Sequence, residues 1–144
     1  HFVHIDLTHA LLNGVGLVLL WALFARSYRP TQWLLALALT IVVIDLGFWF
    51  LSPALRWYVG ASAVLHVIFA CGCIALLRQR DPIGMIAAVI FVGKLVWEQL
   101  SGPLPFADGH AVVTVSHTYG ALGGLLAMLG RIKRDLMPRK VAEA

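Results

Sequence analysis

Long apolar runs separated by short polar breaks dominate this chain. Runs of about 17 to 25 apolar residues cross the hydrocarbon core of a bilayer as helices. The pattern predicts five such spans, over 3–25, 32–51, 61–77, 83–100 and 111–129, followed by a basic tail over 130–144. The breaks are Tyr28-Arg29-Pro30, Ser52-Pro53, Arg80-Asp81-Pro82 and Ser101-Gly102-Pro103-Leu104-Pro105. Each carries a proline, which disfavours helix continuation. No internal repeat or low-complexity stretch is visible, so the expected fold is a single all-α polytopic membrane domain over 1–144.

Composition agrees with that pattern. Of 144 residues, 60% are hydrophobic and only 12% charged, too apolar for a soluble domain of this size. The formal charge of +4 does not point to nucleic acid, because the basic residues other than Lys94 are confined to connections and tail. If the spans alternate, Arg26, Arg29, Arg78, Arg80, Arg131, Lys133, Arg134, Arg139 and Lys140 share one side and only Arg56 falls in a loop on the other. The basic side is expected to be cytoplasmic. Cys71 and Cys73 sit inside an apolar run with no metal-ligand spacing around them and read as packing residues. No basic leader precedes the first apolar run, so no cleavable signal peptide is expected and His1 reads as a cut boundary.

Polar groups inside lipid are costly and usually functional, which singles out a few positions. With the orientation above, Ser62, His117, His9 and Asn13 all come near the outer ends of their spans. A serine hydroxyl is a poor nucleophile until a base removes its proton, and a histidine on a neighbouring helix can do this without a third residue if packing fixes its ring. Ser62 and His117 suit those roles. Amide hydrolysis passes through an oxyanion that needs donors aimed in advance, and a residue opening a helix offers its own N–H and the positive end of the dipole. Ser62 is so placed. His9 and Asn13, four apart, share a helix face, and Gly16 keeps that face small. On the fifth span His117, Gly120 and Gly124 share a face whose small-xxx-small spacing lets another helix approach closely.

Other polar residues read differently. His66, one turn after Ser62, is expected to pack against His117 in a supporting role. Asp45 and Lys94 lie at similar distances from the outer ends of outward-running spans, with Glu98 one turn above Lys94, and an Asp45/Lys94 or Lys94/Glu98 pair would relieve the cost of burying either charge; a structural ion pair is expected ahead of a catalytic one. His4 and Asp6 read as entrance or capping residues. The connection between the fourth and fifth spans, with Phe106 and His110, would cover the outer mouth as a mobile cap or serve as an ordinary loop.

These elements together resemble the rhomboid intramembrane serine proteases. That family carries a His-x-x-x-Asn element, a Gly-x-Ser element opening a later helix, and a histidine followed by spaced glycines on its last core helix. Here they read His9-Ala10-Leu11-Leu12-Asn13, Gly60-Ala61-Ser62 and Ser116-His117-Thr118-Tyr119-Gly120-Ala121-Leu122-Gly123-Gly124. His4 matches the family's leading histidine. Short loops, His66 and Lys94-Leu95-Val96-Trp97-Glu98-Gln99 look most like the rhombosortase branch, implicated in processing bacterial surface proteins that end in a Gly-Gly-type motif, a transmembrane helix and a basic cluster.

The resemblance implies a serine endopeptidase of the bacterial inner membrane with its site toward the periplasm. Ser62 would be nucleophile and His117 base, with His9, Asn13 and the Ser62 backbone as oxyanion donors and Gly60, His66, Gly120, Gly124 and His4 in support. Its partners would be the bilayer and the transmembrane tail of a membrane-anchored substrate. Water or an amine would release the acyl-enzyme, and no metal or organic cofactor is required. This chain departs from the family in having Ala63 where glycine commonly follows the nucleophile, His66 where many members have an aromatic residue, and five spans where the core has six, the helix before His1 being absent. Two other readings predict other observations. An inactive rhomboid-like binder of transmembrane helices would have lost Ser62 or His117, and a haem or ion carrier using His9, His66 and His117 would absorb visible light.

Overall fold

The computed structural model describes residues 3–4, 6–104 and 112–136, with side chains described to residue 129 in the last helix. The secondary structure of these residues is helical: α1 (Leu7–Phe24), a 3-10 turn (Ala25–Ser27), α2 (Pro30–Leu51), α3 (Ser62–Arg78), α4 (Pro82–Ser101) and α5 (Val115–Leu136). The connection carrying Phe106 and His110 lies outside the described residues.

Local chemistry sets the helix ends. Asp6 caps α1 by accepting the His9 N–H at 2.8 Å, so the helix begins four residues after the apolar run does. Proline occupies the first position of α2 and α4, where its missing N–H costs nothing. Asp81 caps α4 by accepting the Ile83 N–H at 2.9 Å. Gly102, at φ +84°, ends α4 in a conformation that favours glycine. At the other end α5 continues past the apolar run through Arg131, Lys133 and Arg134, because straight-chain basic residues propagate a helix as well as leucine does.

The middle helix is the core. Ten of the 17 residues of α3 are buried, among them His66, Val67, Cys71 and Cys73, whereas α1 buries only Asn13 and Phe24. The other four helices all pack on α3. Cys71 and Cys73 are free thiols in this core, and the Cys71 thiol donates to the Gly124 carbonyl at 3.6 Å. The outward faces are apolar: Leu11, Val18 and Trp21 on α1, Leu35, Val42 and Trp49 on α2, and Ile86, Val89 and Ile90 on α4 are all exposed. A water-soluble surface rarely presents apolar area so continuously. Helices α1 with its terminal turn, α2 and α4 are long and apolar enough to cross a membrane, and α3 is a shorter apolar helix. The chain is a multi-pass membrane protein.

Lipid is as apolar as leucine, so helices in it associate by close packing rather than by burial from water. At Gly120 an added Cβ would collide with the Ala63 carbonyl oxygen and lie 3.3 Å from Ala63 Cα; at Gly124 it would lie 3.0 Å from Ala70 Cβ and 3.1 Å from the Val67 carbonyl oxygen. These two glycines let α5 lie against α3 backbone to backbone. Helices α1 and α4 flank α3 without packing against each other.

Candidate active site

Ser62 is the first residue of α3, where the backbone N–H groups have no partner within the helix. The chain reaches it through Gly60, at φ +112°. A side chain there would be strained, and it would also meet the His9 imidazole: an added Cβ would lie 2.8 Å from His9 Cε1, 2.9 Å from Nε2 and 3.9 Å from Asn13 Nδ2. Gly60 therefore lets the His9 and Asn13 side chains reach the segment just before Ser62. Asn13 is buried and donates one amide hydrogen to the His9 carbonyl at 3.1 Å. Gly16, one turn on, leaves room for Leu65, whose Cδ1 would be 3.1 Å from an added Cβ. His4 packs edge-on against the His9 ring at 5.2 Å.

His117 lies in the first turn of α5, which starts through the Ser116 N–H to Val113 carbonyl and His117 N–H to Thr114 carbonyl bonds, both 3.0 Å. Its Nε2 is 2.9 Å from Ser62 Oγ. Its Nδ1 is 2.8 Å from Glu98 Oε2. The His66 ring stacks on it, centroids 4.1 Å apart and planes 8° from parallel. Two elements of the expected picture, His117 reaching Ser62 and His66 packing on His117, are thus found together.

Of the two expected pairings of charged residues, the structure holds Lys94 with Glu98 and not with Asp45. Lys94 Nζ is 2.7 Å from Glu98 Oε1 and 2.8 Å from His66 Nε2. Asp45 lies elsewhere, beside Phe48, Trp49, Pro53 and Leu55, on a helix that does not pack against α4. The Lys94/Glu98 pair forms, but its second carboxylate oxygen is spent on His117. Sequence reasoning missed that contact. The spacing of Lys94 and Glu98 put both on one face of α4; nothing in it told which helix that face would meet.

Tyr58 was also missed. Its hydroxyl accepts the Ala63 N–H at 3.3 Å, satisfying one of the first-turn donors beside the serine. Nearby, the Gln99 amide donates to Thr118 Oγ1 at 3.0 Å, tying the C-terminal end of α4 to the first turn of α5.

His66, Glu98 and His117 have ligand atoms within 4.8 Å of one another, the composition of a metal site. Lys94 Nζ stands among them, 2.8, 2.7 and 3.5 Å from His66 Nε2, Glu98 Oε1 and His117 Nδ1. The cation these groups surround is the chain's own ammonium.

The model of the Rhomboid domain matches residues 1–134. This chain belongs to the rhomboid family, whose members are generally intramembrane serine proteases. Among individual proteins, 30% identity over 95 residues relates it to "Malate transporter MleP" of Lactococcus lactis subsp. lactis (strain IL1403), covering 62% of this chain and 22% of the transporter. The chain thus spans about a fifth of the length of that relative. No solved structure matches.

Proposed function

We propose that this protein is an active intramembrane serine endopeptidase in which Ser62 and His117 carry the reaction. The observation behind this reading is the 2.9 Å contact between His117 Nε2 and Ser62 Oγ, within the range a general base needs. Membership of the rhomboid family supports it. In the first half-reaction Ser62 Oγ attacks the scissile carbonyl carbon while its proton passes to His117 Nε2. The C–N bond then breaks, and His117 returns the proton to the departing nitrogen. Water, or an amine in a transfer variant, attacks the acyl-enzyme with His117 again as base.

The oxyanion is stabilised by the Ser62 N–H, the Asn13 amide and an N–H of His9. His9 and Asn13 on α1 come up against Gly60, two residues before Ser62, so these donors would be in place before substrate arrives, which is where preorganised dipoles are worth most. Asn13→Ala is expected to lower the cleavage rate about 10²- to 10³-fold with little change in substrate affinity, read as kcat against KM on a purified substrate.

The substrate class is the C-terminal transmembrane tail of bacterial surface proteins, bearing a Gly-Gly-type motif and a basic cluster. That assignment rests on the rhombosortase-like His66 and the 94–99 segment. All five helices would span the inner membrane, with the 130–144 tail cytoplasmic and the serine toward the periplasm.

Labelling with a fluorophosphonate serine probe tests the reading. Wild type is expected to label and Ser62→Ala not to, and a reporter carrying such a tail should be cut only by wild type. Folded wild-type protein that takes no label would leave a helix-binding role in place of catalysis.

A further inference from the structure

We infer that Glu98 is a positioning residue for the proposed reaction: it completes a Ser62–His117–Glu98 relay, with Lys94 as the internal cation that holds Glu98 and His66 in place. The inference rests on the protease reading for its catalytic meaning, but the protonation pattern it predicts follows from donor and acceptor inventories with Lys94 and Glu98 ionised as the pair their 2.7 Å contact describes.

A lysine ammonium has three donors and no acceptor. His66 Nε2, 2.8 Å from Lys94 Nζ, must therefore accept, which leaves the proton of a neutral His66 on Nδ1. That atom donates to the Ser62 carbonyl at 2.6 Å. An ionised carboxylate only accepts, so His117 Nδ1, 2.8 Å from Glu98 Oε2, carries a proton. The 3.5 Å approach of Lys94 Nζ to the same nitrogen sets donor against donor; the shorter, charge-assisted contact to Glu98 decides the tautomer. His117 Nε2 is then left with its lone pair toward Ser62 Oγ. This is the tautomer a base must have, and a packed ring alone does not select it.

Rigidity follows from the same contacts. Glu98 holds one edge of the His117 ring while His66 covers its face. Lys94 bridges both supports, so the stacking ring and the carboxylate share one ammonium, and the ring carries the network on to the Ser62 carbonyl. Glu98 and His117 are 4% exposed, and an orienting carboxylate is most effective where water cannot compete.

The rival account is that Glu98 only neutralises Lys94. Two variants of the full-length protein separate the accounts. In Glu98→Gln the ammonium claims the single amide oxygen, so the amide nitrogen faces His117 Nδ1 and drives the proton to Nε2. Fluorophosphonate labelling is expected to slow about 100-fold or more, and ¹⁵N-histidine NMR should show His117 passing from the Nδ1–H to the Nε2–H form. In Lys94→Met/Glu98→Leu no charge is left unpaired, a replacement buried pairs often tolerate. Labelling is nonetheless expected to stay about 100-fold down, with thermal stability near wild type. Labelling of the double variant within a few-fold of wild type would overturn the inference, as would an Nε2–H form of His117 in the wild-type protein. If wild type takes no label, the protease reading fails; the NMR tautomers in wild type and Glu98→Gln would still decide the role of Glu98.

Discussion

A Gly120→Val protein is expected to lose Ser62 labelling and tail cleavage almost completely while retaining every reacting group. The added Cβ would fall on the Ala63 carbonyl oxygen and within 3.0 Å of the Ala63 carbonyl carbon. Both are backbone atoms and neither can swing aside. Ala63 follows the nucleophile directly, so α5 can retreat only by carrying His117 away from Ser62. Overpacking of this kind costs about 1–3 kcal/mol of stability, which a multi-helix domain can absorb. A displacement of about 1 Å costs about 100-fold in rate, and the 2.9 Å contact between His117 and Ser62 has no slack. Labelling should therefore fall far more than melting temperature. Full activity in Gly120→Val would mean that the two helices need not lie this close for catalysis.

His117→Ala should cost as much as Ser62→Ala, and the double substitution should cost no more than either. The proposed base has one substrate for its lone pair, the Ser62 hydroxyl, and the proposed nucleophile has one base in reach. Residues that act as such a unit are grossly non-additive, with losses on the order of 10⁴-fold or more for removing either. The residual rate in all three proteins would come from the oxyanion donors and substrate binding alone. Cleavage assays on a tail-bearing reporter check this. Additive losses would show that Ser62 and His117 contribute independently, and substantial activity in His117→Ala would assign the base to another group, His66 being the nearest imidazole.

Much of this architecture was legible before any coordinates. The five apolar runs announced the helices because lipid demands internally satisfied backbone. Ser62, His117, His9 and Asn13 stood out because polar groups are expensive in those surroundings. The Gly120 to Gly124 spacing pointed to a close helix contact, and α3 lies there. Less legible were helix ends set by a side chain several residues from the apolar run, such as the Asp6 cap, and by basic residues at the end of α5 that are helical without being apolar.

The ion pair was the instructive case. Along the sequence Asp45 and Lys94 stood at similar depths with Glu98 one turn from Lys94, so Lys94 could have paired with either carboxylate. In the fold α2 and α4 do not pack against each other, which removes Asp45, while the C-terminal end of α4 approaches the N-terminal end of α5 and brings Glu98 to His117. Sequence periodicity states which residues share a helix face. It does not state how a helix is rotated against its neighbours, because rotation is fixed by packing with residues distant in the chain.

The sequence by itself determined the class of fold and the membrane environment and singled out the candidate residues for the proposed chemistry, since these follow from local hydropathy, helix period and short spacings. The tertiary structure alone decided that Lys94 Nζ sits among His66, Glu98 and His117, and that Glu98 contacts the imidazole nitrogen opposite the serine. Those contacts join α3, α4 and α5 across 19 to 28 positions of chain. Only the mutual rotation and close approach of three helices, permitted by the absence of two side chains on α5, bring them within hydrogen-bond reach.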